Sequence, residues 1–284
     1  LLKRIQTQAG EAGYQAKFGA EFEWFVFHKN SEDTSANNYQ NMTPLSSGMF
    51  GYSRLRTSQF QELTHRILSD LMAAKLPLEG LHTETGPGVY EAAISYCDAL
   101  EMADQSSLFK LGIKQIAMEF DLMASFMAKW SPLYPGCSGH LHQSLWDEKG
   151  QNMFYSSDNE FGLSTVAQEY LAGQLYCLPF ILPMFAPTVN SYRRYVANSW
   201  APTTLSWGVD NRTTAIRVVP EISGARHLEH RVSGADMNPY LAISACLASG
   251  LYGIKNKLPL TVEPCLGNAY EQENLNKLPG SLTE

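Results

Sequence analysis

The 284-residue sequence carries little charge: 17% is Asp, Glu, Lys or Arg, and the balance is acidic, with a formal −7 at pH 7. A basic surplus is missing, and with it the phosphate-neutralising surface on which general nucleic-acid binding rests. Cysteine is scarce and shows no paired pattern: Cys97, Cys137, Cys177, Cys246 and Cys265 are odd in number and never form CxxC. This favours reduced thiols in a cytosol-like compartment over a disulfide framework or a zinc knuckle. No apolar run is long enough to span a bilayer. The most apolar stretch, YCLPFILPMFAP at 176–187, is too short and holds three prolines. No signal peptide is visible, and the chain begins at Leu1 rather than at a methionine. There is no GxxxxGK[ST] loop and no GxGxxG after a strand, which disfavours P-loop, kinase and Rossmann chemistry. Internal repeats and long linkers are also absent.

What is present describes a globular chain with a sizeable core, since 44% of its residues are hydrophobic. KFGAEFEWFVF at 17–27 alternates like a strand: Phe18, Ala20, Phe22, Trp24 and Val26 face one way, and Glu21, Glu23, Phe25 and Phe27 the other. Residues 32–59 are polar and read as a long loop or lid. Residues 58–74 place Phe60, Leu63, Ile67, Leu68 and Leu71 at helical spacing, with Thr57 or Ser58 as cap. Similar stripes mark helices over 106–126 and 163–184, and Asn238-Pro239 opens another over 239–256. The last twenty residues are polar and show little periodicity. Single strands between helices predict a mixed α/β or α+β architecture around one curved sheet.

Several acids stand where their geometry is costly. Glu21 and Glu23 share one strand face, so they must be solvated, share a proton or hold a cation. A solvent-exposed face accommodates them too, although Phe25 and Phe27 on the same side suggest that it is covered. In HTETGPGVYEAA, Glu84 and Glu91 flank Gly86-Pro87-Gly88, a turn that can fold both toward one place or leave an ordinary hairpin with two surface acids. In PGCSGHLHQSL, His140, His142 and Ser144 share a strand face opposite Leu141 and Leu145. Two histidines alone are weak as a metal site. Zinc would want further nitrogen or sulfur, whereas oxygen-rich sets with one imidazole suit Mg²⁺ or Mn²⁺.

Lysine is missing from residues 193–231, which nonetheless hold Arg193, Arg194, Arg212, Arg217, Arg226 and Arg231. Arginine alone suggests planar, bidentate recognition of carboxylate or phosphate, with internal salt bridges accounting for part of the set. LEHRV places Glu229 and Arg231 on one strand face. Acids for metal and arginines for phosphate together point to nucleotide-dependent phosphoryl transfer.

In order along the chain, GAEFEWFVF, ETGPGVYE, GCSGHLHQS, NSYRRY, DNRTTAIRV and LEHRVSGADMNPYL resemble the catalytic domain of glutamine synthetases, over roughly Phe18 to Lys257. The resemblance implies an α+β fold with a curved, mostly antiparallel sheet forming a half-barrel backed by helices. It makes residues 1–284 a catalytic domain from which the family's small N-terminal β-grasp domain and C-terminal end are missing. It implies two or more Mg²⁺ or Mn²⁺ ions: Glu23, Glu84 and Glu91 resemble ligands of the first, and Glu21, His140 and Glu229 ligands of the second. Arg194 and Gly136 resemble the residues that hold glutamate, while Arg212, Arg217 and Arg231 resemble those that grip phosphate. His142 and Ser144 resemble the nucleotide side, and Tyr52 falls where a tyrosine lines the amine pocket. The implied reaction is ATP-dependent ligation of glutamate to ammonia or another amine through γ-glutamyl phosphate, in a cytoplasmic stacked-ring homo-oligomer such as a dodecamer.

Three positions depart from the family pattern. Trp200 occupies the place of a glutamate that helps bind and deprotonate ammonium. Pro135 stands where asparagine is frequent, and Val89 where glutamine is common. All three changes touch the glutamate and amine end, which branches such as the γ-glutamylpolyamine synthetases and lengsin remodel. A catalytically silent, ring-forming structural role is the alternative, and a metal-dependent hydrolase explains the arginines less well.

Overall fold

The alternation of 17–27 becomes β1 (Gln15–Phe27), the central strand of the molecule. A computed structural model describes residues 1–29, 31–220 and 223–284. Around β1 lie β2 (Leu78–Thr83), β3 (Val89–Asp98), β4 (Met123–Ser125), β5 (Gly139–Trp146), β6 (Trp207–Val209), β7 (Ile216–Val219) and β8 (His227–His230). The main path of the sheet is β2-β3-β1-β5-β8-β7-β6, and β4 pairs with the far end of β1. Every pairing is antiparallel except β6 with β7. The fold is therefore an open, mostly antiparallel mixed sheet backed by helices, the α+β arrangement expected.

One face of β1 is apolar and packs inward. Phe22 and Trp24 are buried and meet Phe109 and Phe126 at ring separations of 5.6–6.3 Å. Phe109 lies on α5 (Ala99–Glu119), which backs the sheet and also touches α8 (Pro239–Asn256). Each such side chain contributes roughly 1.5–3 kcal/mol through burial. Behind β5, Gln143 and Gln174 exchange amide hydrogen bonds of 2.7 and 3.1 Å, and Tyr170 donates to Gln143 at 2.8 Å. Gln174 and Tyr170 lie on α6 (Thr165–Ile181), so a fully satisfied polar network joins that helix to the sheet. α6 and α8 approach closely at Gly173 and Gly253, where an added Cβ on Gly253 would stand 2.0 Å from the Glu169 carbonyl oxygen. α1 (Leu2–Glu11) packs on α8 and α5.

Three expectations need correction. Residues 32–59 are not continuous loop: α2 (Ser31–Ala36) and α3 (Arg54–Gln59) form within that span. The helix expected over 58–74 is broken at Phe60 and resumes as α4 (Gln61–Ala73). Ser53, rather than Thr57 or Ser58, accepts the capping bond, from the Arg56 N–H, and Leu68 faces solvent while Leu63, Ile67 and Leu71 are buried. The stripe over 106–126 is helical only to Glu119, because Met123–Ser125 add to the edge of β1 instead. The helix at 239–256 forms as expected, and the Asn238 side chain accepts from the Leu241 N–H. Between α6 and β6 lies the four-residue α7 (Val189–Tyr192). All five cysteines are free thiols. Among the described residues, no helix is long and apolar enough to cross a membrane.

Candidate active site

The register of the sheet assembles the polar face. Glu23 of β1 stands directly opposite Glu91 of β3, which in turn stands opposite His82 of β2. On the other side Glu21 faces His140 of β5, His142 faces Glu229 of β8, and Glu229 faces Arg217 of β7. Directly opposed side chains on one sheet face lie about 5 Å apart, so this register brings together residues from six strands. Glu84 enters because Gly86-Pro87-Gly88 turns β2 into β3, with Gly88 at φ +67 and the Glu84 N–H donating to the Val89 carbonyl. An added Cβ on Gly88 would meet the Leu45 N and the Val26 carbonyl at 2.7 and 2.8 Å, so only glycine suits this turn.

The resulting cleft, of about 570 Å³, is lined by all five of these acids and by His82, His140, Tyr52, Trp200, Pro135, Gly136, Arg194, Arg212, Arg217 and Arg231. Thirteen of the fifteen residues singled out by sequence are among its lining; His142 and Ser144 lie in an adjoining cavity that shares Glu21. Val89 does not line the cleft, because its side chain is buried in the sheet. Arg231 follows the end of β8 but still meets Glu229, with Nη1 donating to Oε1 at 2.5 Å.

Two groups of three side chains bring their ligand atoms within 4.8 Å of one another: Glu21, His142 and Glu229, and His82, Glu84 and Glu91. His140 Nδ1 lies 3.1 Å from Glu21 Oε1 and 3.2 Å from Glu229 Oε1. Its Nε2 is buried and has no hydrogen-bond partner among the described residues. The Glu23 carboxylate accepts from the Ser138 N–H. The electrostatics are uneven. Burial raises Glu23, and burial with the charges of Glu21 and Glu23 pushes Glu91 up to about 7 despite its bond to His82. Burial opposes ionisation of Glu21 as well, but the hydrogen bond and charge of His140 bring it down to about 2. Glu229 is held well below the usual carboxylate range, since His140 and Arg231 outweigh its burial. Buried like charges and an orphaned imidazole nitrogen are what a divalent cation would satisfy, and the oxygen-rich, thiolate-free donor set fits Mg²⁺ or Mn²⁺.

Arg194 follows α7 and is buried. Its Nη1 donates to the Val232 carbonyl at 2.8 Å, and its Nη2 to the Arg231 carbonyl at 2.9 Å and to Ser138 Oγ at 3.2 Å. Gly136 makes room for it, because an added Cβ would stand 2.8 Å from Arg194 Cγ and 2.4 Å from the Ala128 carbonyl oxygen. Arg217 joins Glu229 at 2.9 Å and Asp210 at 2.5 Å, whereas Arg212 is exposed at the cleft wall. Tyr52 adopts φ +54 and stacks on His82 at 4.6 Å. Burial and the neighbouring Glu84 carboxylate raise its phenol.

The cavity beyond Glu21, of about 370 Å³, contains Ser144 and His142 together with Tyr96, Trp146 and Lys17. Tyr96 and Trp146 lie nearly parallel, 9° apart with centroids at 6.3 Å, and Lys17 Nζ stands 5.4 Å from the indole centre. His142 Nδ1 is 3.1 Å from His227 Nε2. His82, Ser138, Tyr96 and Trp146 were missed in the sequence. For His82 a signal existed, because HTE places it on the same strand face as Glu84.

The family model for the catalytic domain of glutamine synthetase matches residues 1–284. The chain is 47% identical over 287 residues to type-1 glutamine synthetase 2 of Dictyostelium discoideum, covering all of this chain and 55% of that protein. It is 38% identical over 286 residues to a glutamate–isopropylamine ligase from Pseudomonas sp, covering 100% of this chain and 62% of that one. The chain thus spans little more than half the length of these curated relatives. A solved structure of a GmaS/ADP complex superposes with a TM-score of 0.88 at 28% identity, over 99% of this chain and 65% of that one. With a matching family model over its whole length and a sheet register that assembles the acids, imidazoles and arginines in one cleft, this chain belongs to the glutamine synthetase family.

Proposed function

We propose that the protein of which this chain is part is an ATP-dependent ligase that joins the γ-carboxylate of glutamate to ammonia or another amine. The observation that carries this reading is the central cleft, where carboxylates, imidazoles and arginines meet beside a cavity with a flat aromatic shelf. In this reading the adenine lies against Tyr96 and Trp146 near Ser144, and the phosphates run past His142 toward Glu21. Glu23, Glu84 and Glu91, joined by His82, would hold one divalent cation, and Glu21, His140 and Glu229 a second. When bound, the cations neutralise phosphate charge as the phosphoryl group is transferred. Arg212, Arg217 and Arg231 add guanidinium charge around the same group, and Arg194 with Gly136 positions glutamate.

The chemistry proceeds in two balanced steps. A γ-carboxylate oxygen of glutamate bonds to the γ-phosphorus of ATP, and ADP leaves. The amine nitrogen then bonds to the acyl carbon, phosphate leaves with the bridging oxygen, and the nitrogen gives up a proton. Activation is needed because a free carboxylate is a poor acyl donor. The resemblance to glutamine synthetases supports assembly into stacked rings and residence in the cytoplasm. Tyr176 and Phe180 on α6 are exposed apolar side chains available for such contacts.

The test is release of ADP and phosphate by the full-length protein with Mg²⁺ or Mn²⁺, dependent on both glutamate and an amine. Glu84→Ala or His140→Ala is expected to abolish it. Absence of turnover with ammonia, methylamine, putrescine and spermidine alike would overturn the ligase reading, and calorimetric loss of ATP binding would favour a silent structural role.

A further inference from the structure

Three cavities run side by side across the polar face. Glu21 forms the wall between the aromatic cavity and the central cleft. Asn198, Trp200 and Arg212 form the wall between the cleft and a third cavity of about 690 Å³, larger than either of the others. Nothing in the reaction with ammonia calls for this third space. Its mouth is set by backbone conformation: Asn198 and Trp200 both adopt the left-handed region, at φ +63 and +60. Trp200 is left 61% exposed, so its indole is free to meet a ligand on either side of the wall. Tyr270, whose hydroxyl donates to the Ala201 carbonyl at 2.8 Å, ties the far side of the cavity to the same segment.

We propose that this third cavity receives the tail of the amine substrate and that the tail is uncharged, making the preferred acceptor a primary monoamine with an alkyl, hydroxyalkyl or aryl substituent. The inference rests on the ligase reading and specifies its acceptor. Among the described residues, the charged members of the cavity lining are Asp210 and Arg212. Asp210 is ion-paired, because its Oδ1 accepts from Arg217 Nε at 3.0 Å and from Nη2 at 2.5 Å. Arg212 carries the opposite sign to the partner a second ammonium would need. A diamine would therefore bring a cation to a wall with no unpaired carboxylate, where losing its hydration is uncompensated. Attraction to the exposed indole face is weak, and the neighbouring guanidinium opposes it.

The remaining lining suits a neutral group. Trp200, Val209, Leu266 and Tyr270 supply apolar and aromatic surface. The polar side chains are largely engaged with one another. Asn211 Nδ2 donates to the Cys265 and Gly267 carbonyls, its Oδ1 accepts from Thr213, and Asn268 bonds to Glu271 and to the Tyr270 N–H. A tail entering past Trp200 would thus remove apolar surface from water without leaving new buried polar groups unpaired.

The experiment compares n-butylamine with putrescine, which share a four-carbon chain and differ by one terminal ammonium, in glutamate-dependent ADP release by the full-length protein. The kcat/KM for n-butylamine is expected to exceed that for putrescine at least tenfold. Leu266→Asp places a free carboxylate on the cavity wall at an exposed position that tolerates substitution, and is expected to cut that ratio several-fold. Equal or better use of putrescine by the unaltered protein, or a ratio unmoved by Leu266→Asp, would overturn the inference. If ammonium and methylamine support ADP release while the tail has no effect, only the inference falls. If no amine supports it, the ligase reading falls too.

Discussion

Glu91→Gln separates electrostatic strain from metal-linked stability. Glu91 is buried, faces Glu23 across the β1–β3 pairing, and titrates near 7 rather than 4.5. At pH 7 the folded protein pays for that raised value about 3 kcal/mol. Glutamine removes the charge and keeps an oxygen for the 3.1 Å contact with His82. For 284 residues the unfolding entropy is about 0.6 kcal/mol per degree, so the variant is expected to melt about 5 °C higher in a metal chelator at pH 7. A raised carboxyl pKa means that the folded state binds more protons than the unfolded one between about 4.5 and 7. Wild-type stability therefore falls as pH rises through that window, and the variant's advantage vanishes below pH 4.5 and is complete above 7. Saturating Mn²⁺ or Mg²⁺ at a hundred times Kd would restore about 2.7 kcal/mol to the wild type and much less to the variant, closing the gap. Scanning calorimetry in chelator and in metal reads both effects. A variant that melts lower than wild type in chelator at pH 7, or equal stabilisation of both proteins by metal, would refute the reasoning.

Two further predictions concern the frame behind the site. Gly253→Ala is expected to lower stability by about 1–2 kcal/mol in urea unfolding, because overpacking α6 against α8 outweighs the roughly 1 kcal/mol gain in helix propensity; a stabilised variant would contradict the close approach at Gly173. Lys110 donates to the Ala235 and Met237 carbonyls while burial holds its amine down to about 8, so the unfolded state binds more protons between pH 8 and 10.5. The stability of wild type relative to Lys110→Met should thus rise with pH across that window, by at most about 1.4 kcal/mol per unit, and a flat difference from pH 7.5 to 10 would refute it.

Much of the site was readable along the chain, for a local reason. A period of two places Glu21 beside Glu23, and His140 beside His142, whatever the rest of the chain does. Glycine at 86 and 88 announces a turn that sterics reserve for it. Other features were misread where neighbours decided the outcome. Met123–Ser125 continue a helical stripe in sequence, yet open hydrogen-bonding positions along β1 draw them into strand. Phe60 fits the stripe of one long helix, but the chain breaks there and restarts as α4. Val89 looked like a change at the substrate end and is instead part of the sheet's interior.

By itself the sequence determined which residues share a face, where the chain turns, and that arginine without lysine serves the segment 193–231. Those properties follow from backbone geometry and side-chain chemistry within a few residues. Only the tertiary structure decided that Glu23 opposes Glu91, that Glu21 opposes His140, and that Asp210 pairs with Arg217. Pairing between strands as distant in sequence as those of Gln15 and Trp146 is set by the packing of the whole sheet against α5, α6 and α8. The charge left unpaired on a cavity wall can be counted only once that packing is known.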